Sequence, residues 1–148
     1  MLTIHAADEV RRAWDSAPLK DGAVAVEGDR VAGVGTLDEL RERFPAARVR
    51  HWPGVLGPAL VHEGPLPEAP SPRERLHAVL KSGATAVLAE YVGTPDLRTA
   101  ASRNDIAVLP GMKKPAIADT GRADLAVFDA DGACVATVCA GRLVHRRR

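Results

Sequence analysis

The stretch AVAVEGDRVAGVG, residues 23–35, decides much of the fold because it has the pattern of a β-hairpin. Two alternating apolar runs, Ala23–Glu27 and Arg30–Gly35, flank the dipeptide Gly28-Asp29. A Gly-Asp pair between two such runs suits a two-residue turn. The stretch therefore predicts that the first part of the chain is built from paired strands.

More strands and one short helix are predicted around this hairpin. Three further segments before residue 62 have the apolar pattern of strands: Leu2–Ala6, Ala47–Trp52 and Val55–Val61. Pro53-Gly54 separates the last two and predicts a break between them. Thr36 and Glu39 have the spacing of a capping box, which predicts a helix that ends before Pro45.

The pattern changes after the proline-rich loop at residues 62–70. Ser71-Pro72-Arg73-Glu74 predicts a helix start with proline at the first helical position. A second helix is predicted from Thr94, with Asn104 as its left-handed terminator. The segments predicted as strands here are Thr85–Val92 and Ile106–Leu109. Residues 55–110 thus alternate β-α-β-α-β, which is typical of a small parallel sheet.

The last part of the chain again predicts strands. They are Asp124–Asp129, Cys134–Cys139 and Gly141–His145. We expect an α+β fold in which residues 1–61 and 115–148 share one sheet or a β-sandwich-like domain. Residues 62–114 would be a small βαβαβ unit inserted into it, and the whole would form one compact domain.

Length and composition exclude several classes of protein. The chain has 148 residues, whereas a (β/α)₈ barrel needs at least about 200. A net charge of +1 does not indicate the basic surface of a nucleic-acid-binding protein. No apolar run is long enough for a membrane span. The N-terminus lacks the basic and apolar regions of a signal peptide. We therefore expect a cytoplasmic protein, and the arginine- and alanine-rich composition suggests a GC-rich bacterial genome.

Two further expectations concern the C-terminal part of the chain. Cys134 and Cys139, the two cysteines, would point to opposite faces of one strand and remain free thiols in a reduced compartment. The C-terminal arginines 146–148 are expected to form a solvated, frayed terminus.

Both ends of the chain resemble the amidohydrolase superfamily, especially imidazolonepropionases and aminodeoxyfutalosine deaminases. The matching segments are residues 21–61, from Asp21-Gly22-Ala23 to Pro58-Ala59-Leu60-Val61, and residues 121–144, which begin Gly121-Arg122-Ala123-Asp124. In that family the two ends pair to form a small β composite domain beside a metal-dependent barrel. The resemblance implies the same composite domain here, with most of the barrel missing.

The metal-binding positions of the family differ in this chain. The family carries Pro-Gly-Leu-Val-Asn-Ala-His-x-His where this sequence has PALVHEGPL at residues 58–66, so Gly64 and Leu66 stand at the two histidine positions. His62 falls on the asparagine position, and with Glu63 it would make a poor chelate because adjacent side chains point to opposite faces. His77, the one histidine between residues 66 and 121, is expected on an exposed helix face. We therefore expect the zinc or iron of the family to be absent.

A candidate ligand pocket follows from the parallel unit. Open parallel sheets bind ligands outside the carboxyl ends of their strands, which places His62, Glu63, Tyr91 and Lys113 near one another. The alternative is that these are loop residues with no shared purpose.

We interpret the chain as a non-catalytic binding, scaffold or accessory protein, with a small molecule or a pathway enzyme as partner. The alternative is a metal-dependent C–N hydrolase or deaminase whose site is altered or completed by a partner chain. A three-stranded fragment of a barrel exposes two sheet edges, so we also expect a homodimer.

Overall fold

The computed structural model describes residues 1–147. Within them the strands are β1 (Leu2–Val10), β2 (Leu19–Lys20), β3 (Gly22–Glu27), β4 (Arg30–Thr36), β5 (Arg48–Pro58), β6 (Leu60–His62), β7 (Ala84–Leu88), β8 (Ala107–Leu109), β9 (Leu125–Phe128), β10 (Cys134–Cys139) and β11 (Arg142–Arg146). The helices are α1 (Leu37–Arg43), α2 (Pro72–Lys81) and α3 (Pro95–Arg103), and a short 3₁₀ turn spans Ala89–Tyr91. None of these helices is long and apolar enough to cross a membrane.

The two ends of the chain form one large mixed sheet, as the sequence predicts. Its strand order is β11-β10-β9-β5-β1-β3-β4, and β2 pairs with the end of β1. Strands β1 and β5 run parallel, and the other neighbours along this order run antiparallel. The hairpin of β3 and β4 turns at Gly28, whose φ of 60° is left-handed and suits glycine.

The large sheet curls until the segment before β9 reaches the edge of β4. Val31 N–H donates to the Gly121 carbonyl at 2.9 Å, and Ala123 N–H donates to the Asp29 carbonyl at 2.7 Å. Apolar side chains from both ends of the sheet therefore share one core, which includes Val24, Val31, Leu56, Val127 and Val138. This arrangement accounts for the sandwich-like character that the strand pattern predicts.

The middle of the chain forms a separate three-stranded parallel sheet of order β6-β7-β8. Helices α2 and α3 connect its strands and share one apolar cluster with Val87 of β7. The βαβαβ prediction is confirmed, and the sheet stays open within residues 1–147, without closing into a barrel.

Both connecting helices begin as predicted, because their caps are local. The side chains of Ser71 and Thr94 accept hydrogen bonds from the third residue beyond each, and a proline follows each cap. The buried side chains of α3 are Leu97, Ala100 and Ala101, as its apolar spacing indicates.

Buried contacts join the two sheets. The Thr137 hydroxyl of β10 donates to the Leu80 carbonyl of α2 at 2.7 Å. The Phe128 ring lies against Gly83, where an added Cβ would come within 2.6 Å of Cζ. Cys139 of β10 belongs to the same apolar cluster as α2 and α3. The predicted division at residues 61/62 and 114/115 stays a prediction.

The predicted strand break at Pro53-Gly54 is wrong, because β5 continues through it. Ala7 pairs with Trp52 and Glu9 with Val55, so Asp8 alone faces two residues and the dipeptide forms a bulge. Gly54 takes a φ of 99°, and its N–H donates to Asp8 Oδ2 at 2.9 Å. A bulge tolerates proline because no ladder hydrogen bond is needed there.

Three other expectations are corrected at the ends of elements. The strand predicted over Thr85–Val92 ends at Leu88. The left-handed residue after α3 is Asp105, with a φ of 56°, whereas Asn104 has a φ of −102°. The C-terminal arginines are not all frayed: Arg146 lies over the Trp52 ring and Arg147 pairs with Asp129. Arg148 lies outside the described residues.

Candidate functional site

A cavity of about 250 Å³ lies on the helix-free face of the small parallel sheet. The sheet contributes Val61, Ala86 and Ala107, which are in register across the three strands. Neighbouring side chains on a strand point to opposite faces. Since Val87 packs on α2 and α3, Ala86 and its in-register neighbours face away from the helices. These three residues give the floor of the cavity an apolar centre, and Thr85 of β7 also lines the cavity.

Charged side chains come from the segment that follows β8. Lys113, Arg122 and Asp124 line the cavity, so its lining carries two cationic groups and one carboxylate. Lys113 is exposed and has no carboxylate within salt-bridge distance among residues 1–147. The adjacent Lys114 differs, because its ammonium group pairs with Asp15 at 2.5 Å.

Arg122 is held in place by contacts on two sides of its guanidinium group. Its Nε donates to Asp124 Oδ1 at 3.0 Å, and its Nη2 donates to Cys139 Sγ at 3.2 Å and to the Asp105 carbonyl. Asp124 Oδ1 also accepts from the Ala140 N–H at 3.0 Å. The remaining nitrogen of the group, Nη1, makes no hydrogen bond within the described part of the chain.

Cys139 helps to hold Arg122 in position and has the properties of a structural thiol. Burial raises the pKa of its thiol to about 11, although the charge of Arg122 opposes that shift. Its Sγ lies 3.4 Å from the Asp105 carbonyl, which accepts from the thiol. A neutral, buried thiol is a poor nucleophile. Cys134 and Cys139 are both free thiols, as predicted.

The structure places the four predicted pocket residues in different surroundings. Lys113 lines the cavity, but His62, Glu63 and Tyr91 do not. His62 is half-buried at the end of β6, Glu63 is exposed beside it, and Tyr91 is half-buried in the 3₁₀ turn after β7. A joint pocket of these four residues stays a prediction.

Sequence reasoning missed Arg122 and Asp124 as parts of a site. The rule for parallel sheets points to the carboxyl ends of strands, whereas this cavity lies over a face. The Arg122-x-Asp124 spacing is the signal that could have found them, because a carboxylate two residues away can fix a guanidinium group.

Two positions of this chain correspond to metal-binding histidines in the family that the sequence resembles. The residues at these positions cannot bind a metal. Gly64 has no side chain, and Leu66 is 3% exposed within the apolar core of α2 and α3. His62 Nε2 lies 3.0 Å from the Pro65 carbonyl, which can only accept, so the hydrogen bond requires the tautomer in which Nε2 is the donor. His77 is exposed on α2, as predicted. Residues 1–147 contain no cluster of three or more His, Cys, Asp or Glu side chains that could hold a metal ion.

The architecture is that of an α+β protein, in which one large mixed sheet is joined to a short three-stranded parallel unit. Over residues 22–47, which comprise β3, β4, α1 and the turn that follows, the chain matches the imidazolonepropionase-like composite domain of bacteria. The resemblance inferred from the sequence is therefore confirmed. None of the curated proteins compared with the chain matches it.

Two solved structures of deaminases share the fold over part of their length. E. coli guanine deaminase is 15% identical with a TM-score of 0.55, over 73% of this chain and 35% of that one. A zinc-bound adenosine deaminase from Xanthomonas campestris is 18% identical with a TM-score of 0.54, over 72% and 33%. Aminofutalosine deaminase from Helicobacter pylori is 18% identical with a TM-score of 0.47, over 59% and 27%. The chain thus spans about a third or less of these proteins.

Proposed function

We propose that this chain is a non-catalytic binding or accessory protein built on the composite fold of the amidohydrolases. The observation that carries the proposal is Leu66. It stands where the resemblance puts a metal-binding histidine, and its side chain is buried against α2 and α3. A buried leucine offers no donor atom, and zinc needs nitrogen, sulfur or oxygen ligands.

The neighbouring positions support the same proposal. Gly64 stands at the other histidine position, the first of the two along the chain, and has a φ of 78°, a conformation that favours glycine over histidine. The solved structure of the Xanthomonas campestris adenosine deaminase contains bound zinc, and hydrolytic zinc works by generating a nucleophilic water. A chain without ligands at these positions lacks that source of hydroxide.

The same proposal includes the expected cellular location, source and partners of the protein. We infer a cytoplasmic, bacterial protein that forms a homodimer and binds a small molecule or a pathway enzyme. Light scattering at micromolar concentration tests the homodimer, and a monodisperse monomer would count against it.

Ammonia release tests the non-catalytic proposal. The purified chain is incubated with guanine and with adenosine, the compounds in the names of two relatives, with and without added zinc or iron(II). We expect no rate above that of a heat-denatured sample. Turnover that needs the metal and disappears with a chelator would overturn the proposal in favour of an altered hydrolase or deaminase.

The partner-completed alternative gives a different result in the same assay. It predicts ammonia release when a barrel-bearing deaminase of the same organism is added, at a rate above that of the deaminase alone. A rate equal to that of the deaminase supports the non-catalytic proposal.

A further inference from the structure

We propose that the cavity on the helix-free face of the small sheet is a binding site for a small monocarboxylic acid with an apolar body. The inference rests on the proposed function, since it names the class of ligand that a non-catalytic protein of this fold would bind. It depends on three observations: an apolar floor, a fixed arginine and a nearby lysine without an ion-pair partner.

The floor of the cavity suits an apolar group. Ala86 is 7% exposed, and Val61, Ala107 and Leu109 stand beside it on the neighbouring strands. The volume of about 250 Å³ lies just below the range of about 300–1,000 Å³ for drug-sized ligands. The ligand is therefore small, about the size of a single ring or a branched chain with one polar end.

The rim of the cavity supplies the charge that a carboxylate needs. Asp124 already pairs with Arg122 at 3.0 Å, so the positive charge of Lys113 remains unbalanced within the cavity. Arg122 Nη1 and Lys113 Nζ are two donors with no partner among residues 1–147. A single carboxylate would satisfy both donors and balance the charge, whereas a dianion would exceed it.

The fixed position of Arg122 favours binding by a preorganised group. Its contacts to Asp124 and Cys139 hold the guanidinium before any ligand arrives. A donor that is already in place loses little side-chain entropy on binding. The ligand therefore meets a rigid arginine and orders the exposed Lys113 alone.

Benzoate is the probe that tests the site, with benzamide and acetate as controls. Benzamide keeps the ring and loses the charge, and acetate keeps the charge and loses the ring. Titrations are followed by amide chemical shifts of the ¹⁵N-labelled chain. We expect benzoate to shift amides in residues 107–109 and 113–124 in a saturable way, and both controls to bind at least about tenfold more weakly.

Matched lysine variants separate the site from general surface charge. Lys113→Gln removes the proposed ligand contact at an exposed position, and we expect it to weaken benzoate binding about tenfold. Lys114→Gln removes a neighbouring lysine that pairs with Asp15 and should leave binding unchanged. Ala107→Leu, which fills the cavity from β8, should abolish the shifts while the far-UV circular dichroism stays the same.

Two kinds of failure are distinguishable. Shifts that are absent, lie elsewhere, or are equal for benzoate and benzamide would overturn the ligand site and leave the non-catalytic function standing. So would equal binding in Lys113→Gln and Lys114→Gln. Release of ammonia from benzamide would overturn the proposed function, whatever benzoate does.

Discussion

The large mixed sheet and the small parallel sheet differ in whether the backbone of an edge strand is hydrogen-bonded to another segment of the chain. Beyond β4, the large sheet is continued by backbone hydrogen bonds to the segment around residues 120–123. The small sheet has no strand beyond β8 within residues 1–147. Val108 and Met112, at this edge, are 40% and 53% exposed. The chain therefore covers the β4 edge of the large sheet itself, while the small sheet keeps an open edge at β8 and a cavity over one face.

Truncations in the two cores should have the largest effects. Leu56 belongs to the core of the large sheet and Leu76 to that of the small sheet, and both are fully buried. We expect Leu56→Ala and Leu76→Ala each to lower the free energy of unfolding by about 2–5 kcal/mol. Urea unfolding is followed by tryptophan fluorescence and by far-UV circular dichroism.

These two probes report on different regions. Trp52 belongs to the core of the large sheet and Trp14 packs on Phe128 of β9, whereas α2 and α3 flank the small sheet. The two transitions should coincide in both variants, because buried contacts join the regions. Separate midpoints in Leu76→Ala would show that the small sheet unfolds independently.

Acidification should lower the stability of the protein through His5, which lies on β1 of the large sheet. His5 lies buried against Trp52, whose Nε1 donates to His5 Nδ1 at 3.2 Å. Burial first, and the charge of Arg50 second, lower the pKa of His5 from 6.5 to about 4. The unfolded chain therefore binds a proton in this window that the folded chain does not. Stability is lost as pH falls from 6.5 to 4, by about 3 kcal/mol.

His5→Gln and His77→Gln form the matched pair for this prediction. The first variant should flatten the dependence of the free energy of unfolding on pH between 6.5 and 4. The second removes an exposed histidine of α2 and should leave the dependence as it is. An unchanged slope in His5→Gln would contradict the assignment to His5.

The junction between the sheets should be sensitive to one methyl group. Gly83 has a φ of 93° and faces the Phe128 ring, whereas Gly132 has a φ of 81° with nothing within 4 Å of an added Cβ. Gly132→Ala should cost about 1–2 kcal/mol through backbone strain alone. Gly83→Ala should cost about 1–3 kcal/mol more because of overpacking. Equal midpoints in thermal unfolding would contradict the close contact at the junction.

The smallest effect is expected from a single buried hydroxyl. Thr137→Val keeps the side-chain shape and removes the donor to the Leu80 carbonyl, which still accepts from the Gly83 N–H at 3.1 Å. We expect a loss of about 1 kcal/mol in urea unfolding. Thr99→Val on the exposed face of α3 is the control and should change stability by less than about 0.5 kcal/mol.

Local signals in the sequence predicted most of the fold. The turn at Gly28 and the caps at Thr36, Ser71 and Thr94 depend on neighbouring residues, and the structure confirms them. The bulge at Gly54 was missed because it depends on Asp8 of another strand.

The cavity could not be predicted for a related reason. Arg122 reaches its position through Cys139 and Asp105, which are both 17 residues away in the chain. Such pairings follow from the curled sheet and leave no local pattern. Lys113 was selected from its place after the last parallel strand, and it lines the cavity over the face of that sheet.

Thermal unfolding of the chelator-treated chain during a zinc titration tests the central claim most directly. The claim is that the chain folds and binds without the metal of the enzymes it resembles. A ligand that binds the folded state raises the free energy of unfolding by RT ln(1 + [L]/Kd), about 2.7 kcal/mol at a hundred times Kd. The account predicts the same unfolding midpoint with chelator and with excess zinc. A saturable rise of the midpoint at one zinc per chain would contradict it.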